Sequence, residues 1–209
     1  MDNMEIKRID GYSDKRFGEQ ALYQHGCFLA DNVPCEVEII SDWEAVIRGE
    51  NRAAYEAVIE EFRFYAPHIT KFYDAAGKML QAYPRVQLLT ISLEEIQPTQ
   101  FFVDEEKLGA VAAFLNKPED VIIQVQADCG RFLSLDGHTR LYYAVTKGWD
   151  HVRGILQQAD DYVYRFAEEA KRRGINTPKD MQLVSHSKYV EAWYGFCDAL
   201  FAEEEHAED

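Results

Sequence analysis

The chain has 209 residues, 47% of them hydrophobic and 13% aromatic, which is enough to bury a sizeable core and excludes a disordered tail. Its 22 Lys and Arg face 37 Asp and Glu, and the net charge of −15 repels phosphate backbones and anionic lipid surfaces, so neither nucleic acid nor membrane is expected as a partner. No apolar run reaches the length of a membrane span, MDNMEIKRID is not a signal peptide, and the four cysteines form no CxxC pair; reduced thiols and a cytoplasmic location follow as expectations.

Three segments are read in chain order. The first covers residues 1–85. GCFLADNVPCEVEII predicts a β-hairpin with Asp31-Asn32 in its turn, because Cys35, Val37 and Ile39 alternate with Glu36 and Glu38. Cys27 and Cys35 flank that turn near His25, but these three ligands lack a fourth, so no metal is expected. Tyr55, Val58, Ile59 and Phe62 fall at helical spacing, and Pro67 breaks the helix. Ile69, Phe72 and Tyr73 are read as a resumed helical stripe that ends at Gly77.

The second segment covers residues 86–158. VQLLTIS predicts a strand, LEEIQPTQFFV a loop around Pro98, and DEEKLGAVAAFLN a helix with Asp104 as N-cap and Leu108, Val111, Ala112 and Leu115 on one face. VIIQVQ and RFLSL are strands joined by the turn Asp128-Cys129-Gly130. A helix then opens after Asp136-Gly137 and stops at Gly148, before a last strand near HVRGIL. The order strand, helix, strand, strand, helix, strand predicts an α+β fold with a mixed sheet and packed helices.

The third segment, residues 159–209, reads as helical. Val163, Phe166, Ala167 and Ala170 form one stripe, and Lys171-Arg172-Arg173 before Gly174 are cations at a helix end. Thr177-Pro178 with Asp180 predicts a further helix start. Val190, Trp193, Cys197, Leu200 and Phe201 form a second stripe, and AEEEHAED a solvated, fraying end. No internal repeat is read.

The candidate chemistry lies at Asp136, Gly137, His138, Thr139 and Arg140. The first turn of a helix leaves backbone N–H groups without partners at its positive end, which suits a phosphate. Gly137 would let the phosphate approach closely. Thr139 adds a hydroxyl and Arg140 a fork of N–H donors, and His138 can donate a hydrogen bond or take a proton near neutral pH. A second reading accounts for the same residues: Asp136 caps the helix, Gly137 makes the turn, and Arg140 pairs with a surface carboxylate.

LSLDGHTRLYYAVTKGW also resembles the DGHTR or GxxR element of the ParB/sulfiredoxin-like superfamily, in which a strand, a turn and a helix start bind nucleotide phosphates. ISLEEIQPTQFFVDEEKLGAVAAFL is similar to the superfamily's opening strand, proline loop and first helix, and VIIQVQADCGRFLSLDGH to its central hairpin. The resemblance covers residues 86–158. It implies a ParB/sulfiredoxin-like mixed sheet, with residues 1–85 as an added N-terminal α/β lobe and residues 159–209 as C-terminal helices. The nearest branch is the free serine kinases, which pass a nucleotide phosphate to L-serine. By that resemblance Gly137, His138, Thr139 and Arg140 hold the phosphates of ATP or ADP, and Asp136 lies beside the transferred group or its Mg²⁺.

LVSHSKYVEAWYGFCD resembles the His-bearing segment that closes over the amino acid in those kinases, which makes His186, Ser187 and Lys188 substrate contacts; the bland alternative for His186 is a cap or first-turn residue. The kinases carry a glutamate base after the proline loop where this chain has Gln100. An amide orients a hydroxyl but takes no proton, so Asp136, His138 and Gln100 are the candidate catalytic set, with no protein metal site. The expectation is a phosphotransferase acting on a small hydroxyl compound. The alternative is a non-catalytic nucleotide sensor whose remaining surface serves a partner or a homo-oligomer contact. The helix-turn-helix of ParB and the catalytic Cys of sulfiredoxin have no counterpart here.

Overall fold

A computed structural model describes residues 4–205, with the side chains of residues 203–205 left aside. Of the segment AEEEHAED, residues 202–205 belong to the final helix and residues 206–209 lie outside the described residues. The chain divides into two compact units, Met1–Gln87 and Leu88–Asp209. The segment from residue 159 belongs to the same unit as the expected core.

The first unit comprises β1 (Ile6–Arg8), α1 (Glu19–Tyr23), β2 (Cys27–Ala30), β3 (Val33–Ile39), β4 (Glu44–Gly49), α2 (Tyr55–Tyr65), β5 (Lys71–Asp74) and β6 (Met79–Ala82). They form one six-stranded sheet in the order β1-β2-β3-β4-β5-β6, with only β4 and β5 parallel. Parallel neighbours need a crossover, and α2 supplies it. The expected hairpin is β2–β3, with Asp31 and Asn32 at positive φ in its turn. Side chains alternate across a strand, so the two faces of β2 serve two cores. Phe28 and Ala30 pack with Tyr55, Val58, Ile59 and Phe62 of α2, while Cys27 packs with Phe17, Ala21 and Leu22 around α1.

One assignment is corrected. Phe72 and Tyr73 lie in the strand β5, not in a helix, and Ile69 precedes it: Phe72 and Asp74 point inward, Tyr73 is half-buried, and the chain turns back at Gly77, φ +78°. Pairing with β4 and β6 on both sides outweighed the helical spacing.

The second unit contains β7 (Leu89–Ser92), β8 (Ile96–Gln97), β9 (Phe102–Asp104), α3 (Glu105–Ala112), β10 (Ile122–Asp128), β11 (Arg131–Ser134), α4 (His138–Thr146), β12 (His151–Leu156), α5 (Asp161–Arg172) and β13 (Gln182–Val184). A continuous final helix follows: α6 (His186–Tyr189), a π-helical turn (Val190–Tyr194) and α7 (Gly195–Glu205). The main sheet runs β7-β12-β10-β11-β8 and is mixed, since β12 is parallel to β10, β8 is parallel to β11, and the other pairs are antiparallel. A separate parallel pair, β13 with β9, sets Val184 opposite Asp104. The fold is α+β, as the element order predicts.

On α3 the buried face is Ala110 and Val111. Ala112 is exposed and Leu115 is buried beyond the helix end. On α5 all four expected residues are buried, and its terminal cations pair with Glu168 and Glu169.

An internal repeat emerges here. Asn116-Lys117-Pro118-Glu119-Asp120 leaves α3 and Asn176-Thr177-Pro178-Lys179-Asp180 leaves α5, and each makes a single 3₁₀ turn before a strand. Asp120 accepts from the backbone N–H of Asn116 and Lys117 at 2.8 and 3.1 Å, and Asp180 from those of Asn176 and Thr177 at 3.0 and 2.8 Å. The helix start expected at Thr177 is therefore a connector into β13.

Candidate functional site

The strand-to-helix junction after β11 is built around Gly137. Its φ of +81° is left-handed, which glycine adopts without steric cost, and its carbonyl accepts the first bond of α4 from the Leu141 N–H at 2.9 Å. A Cβ there would lie 2.5 Å from Ile123 Cγ2 and 3.1 Å from the Nε and one terminal nitrogen of Arg140. Ile123 and Arg140 thus fill the space a side chain at this position would need, and only glycine fits the turn. Asp136 is not the cap, since Gly137 is the N-cap residue and no side chain caps the helix. Asp136 instead accepts from Arg140 at 2.9 Å, one helical turn on. Thr139 is half-buried, and its hydroxyl has no partner among the described residues.

His138 is 8% exposed. Its Nε2 lies 3.2 Å from the Thr99 N–H, 3.1 Å from Thr99 Oγ1 and 2.9 Å from Ser134 Oγ. The Thr99 hydroxyl donates to the Ser134 carbonyl at 2.7 Å, and the Thr99 N–H can only donate. Nε2 is therefore the acceptor, which assigns the proton of the neutral ring to Nδ1. Burial, and secondarily Arg140, push the imidazole down to about 4, against the opposing charge of Asp136. The expectation that His138 takes a proton near neutral pH is corrected accordingly. The ring is a neutral pin between the proline loop and α4.

Gln100 lies one residue beyond that pin. Its side-chain amide donates to the Phe102 carbonyl. Gln100→Glu would set a carboxylate against that carbonyl. The expected result is a loss of about 1–3 kcal/mol in chemical denaturation and no gain of activity.

The parallel β9–β13 pair assembles a second cluster. Asp104 is fully buried. One carboxylate oxygen caps α3 by accepting from the Glu106 N–H at 3.0 Å, and the other meets His186 Nδ1 at 2.7 Å. His186 is the first residue of the last helix, about half exposed, with Glu106 3.8 Å away. Ser187 Oγ lies 3.2 Å from Ser185 Oγ, and Ser185 caps the helix through the Lys188 N–H at 3.4 Å. The bond to Asp104, and then its charge, raise the His186 imidazole above its ordinary value. The stability the pair adds is complete below the unfolded value of about 6.5 and is lost as pH rises through the raised folded value. An NMR titration is expected to place the ring above 6.5, and Asp104→Asn to bring it down.

The structure thus brings Asp136 together with Arg140, His138 with Thr99, and His186 with Asp104, while the loop bearing Thr99 and Gln100 runs between these groups. Sequence reasoning missed the second role of Asp104 and the contacts of Thr99 and Ser134. Among the described residues, no group of three His, Cys, Asp or Glu side chains could hold a metal ion. Burial pushes the thiols of Cys27 and Cys35 up to about 12, far from metal-binding thiolates.

No protein family and no curated protein matches the sequence. Among solved structures the chain is similar to protein Atu1540 from Agrobacterium tumefaciens, at 15% identity and a TM-score of 0.33, over 47% of this chain and 63% of that one. The match spans less than two thirds of that protein's length. No helix among the described residues is long and apolar enough to cross a membrane.

Proposed function

We propose that the second unit is a phosphotransferase, ParB/sulfiredoxin-like and nearest the free serine kinases. It would move a phosphoryl group from ATP or ADP to the hydroxyl of a small compound, free L-serine being the candidate. The carrying observation is the Asp104–His186 pair. As the new O–P bond forms and the bond to the nucleotide's bridging oxygen breaks, the acceptor hydroxyl must lose its proton. Gln100 cannot take it. His186, with Nδ1–H held by a buried carboxylate, presents Nε2 as a proton acceptor. Thr139, the remaining N–H groups of Arg140 and the start of α4 supply donors for the nucleotide phosphates.

A nucleotide-bound Mg²⁺ needs only one or two protein carboxylates, and Asp136, about half exposed, is the carboxylate at this helix start. The ion would spread the phosphate charge.

Purified protein with ATP or ADP, Mg²⁺ and L-serine is expected to give a phosphoserine signal in ³¹P NMR. His186→Ala should lower the rate by about 10²–10⁴-fold. Arg140→Ala should weaken nucleotide binding. Absence of any phosphorylated product across nucleotides and hydroxy compounds would remove the proposal.

A second reading, a nucleotide-sensing module without turnover that serves a partner or a second copy, is favoured by two contacts. Gln100 is tied to the Phe102 carbonyl, and Arg140 is already paired with Asp136. It requires nucleotide binding with no product.

A further inference from the structure

The final helix contains a π-helical turn, Val190–Tyr194, between two α-helical stretches. In an α-helix, residues five apart point about 140° away from each other. The wider turn cancels most of that rotation and sets Tyr189 and Tyr194 on one side of the helix, their rings 5.3 Å apart and edge to face. Inserted π turns are rare and recur at functional sites.

What the two rings hold is Lys107, from the first turn of α3. Its ammonium lies 4.8 Å from the Tyr189 ring centroid, 5.7 Å from that of Tyr194, and 3.3 Å from the Tyr194 hydroxyl. In a chain with 37 acidic residues, no carboxylate among the described residues lies within ion-pair distance of this ammonium. Lys107 follows the Asp104 N-cap by three residues, and Lys107 and His186 are close enough for their charges to interact. A cation fixed by two rings, with no carboxylate paired to it among the described residues, is a preformed anion anchor.

We infer that Lys107 binds the carboxylate of the acceptor, so that the substrate class is small hydroxy acids and not hydroxyl compounds at large. The inference rests on the phosphotransferase reading for the word acceptor, but its test does not depend on turnover. The π turn gives the anchor its geometry: with regular α-helix at 190–194, Tyr194 would leave Lys107.

Calorimetric binding of L-serine and of ethanolamine, which keeps the amine and hydroxyl but lacks the carboxylate, separates the outcomes. L-serine is expected to bind about 10–100-fold more tightly, the worth of one charge-assisted hydrogen bond. Lys107→Gln should erase that preference and Lys107→Arg restore most of it, with ADP affinity unchanged in both. The inference is overturned if the two ligands bind alike, if L-serine does not bind, or if Lys107→Gln keeps the preference. It is also overturned if Lys107→Gln weakens ADP instead of serine, because the ammonium then serves a phosphate. Tight serine binding through Lys107 with no phosphoserine formed would sink the phosphotransferase reading and leave the carboxylate anchor standing.

Discussion

Gly26→Ala is expected to unfold the first unit at markedly lower temperature. A Cβ at this position would lie 1.9 Å from the backbone carbonyl oxygen of Val37, a contact no side-chain rotation relieves. The two backbones are fastened there: the Val37 N–H donates to the Gly26 carbonyl at 2.7 Å, and the Gly26 N–H donates to the Ala21 carbonyl at 2.8 Å. Val37 is fully buried in the interior strand β3, so relief means moving β3 against the Phe28, Ile47 and Phe62 core or losing the end of α1. Overpacking against rigid backbone costs about 3 kcal/mol or more. For a unit of this size that is a fall of roughly 10–20 °C in the transition midpoint by calorimetry. Gly11→Ala, with nothing within 4 Å, is the control and should leave the transition in place. An unchanged midpoint for Gly26→Ala would contradict the close β2–β3 approach.

The same residues mark what could be read from sequence. Where a segment's neighbours are local, the pattern was enough. Asp31-Asn32 turns the β2–β3 hairpin, Tyr55, Val58, Ile59 and Phe62 are the buried face of α2, and Gly148, φ +70°, follows the end of α4. Where pairing is distant, it was not. Ile69, Phe72 and Tyr73 fit a helical stripe until β4 and β6 claim Phe72 and Tyr73 as a strand. The strands β9 and β13 are three residues each, too short to announce themselves, yet their parallel pairing carries His186 to Asp104 across 82 positions. Asp104 could be read as a helix cap because that role is local. Its second oxygen answers to a residue only the tertiary fold supplies. The N-x-P-x-D connectors were legible as letters, but their equivalence shows only in the matched carboxylate-to-backbone bonds. The Asp136-Gly137 stop after RFLSL located the strand-to-helix junction. What it could not convey is that Thr99 and Ser134 turn the His138 ring inward.

That inward ring makes the second unit acid-labile in a defined window. His138 titrates at about 4 in the fold and at about 6.5 when unfolded. Between those values the unfolded chain takes up a proton that the folded chain refuses, so stability falls as pH falls. The loss from this one group sums to about 3 kcal/mol and stops growing once the folded ring also protonates. His186 does not offset it. Its raised value means that both folded and unfolded forms are already charged over most of this range, so its own contribution changes only at higher pH. Urea denaturation at pH 7 and at pH 4.5 should therefore show the second unit losing most of this amount. His138→Gln keeps an acceptor for the Thr99 N–H and removes the titration, and it should flatten the dependence while lowering the pH 7 stability. Protonation also takes away the lone pair that receives the Thr99 N–H, so the proline loop carrying Gln100 should loosen with it. In the acid range, amide exchange at Thr99 and Gln100 is expected to rise before that of the β10–β12 pair. A stability that stays level from pH 7 to 4.5, or an equal slope in His138→Gln, would show that the ring is solvated and not buried against Thr99 and Ser134. The junction after β11 would then have to be redrawn.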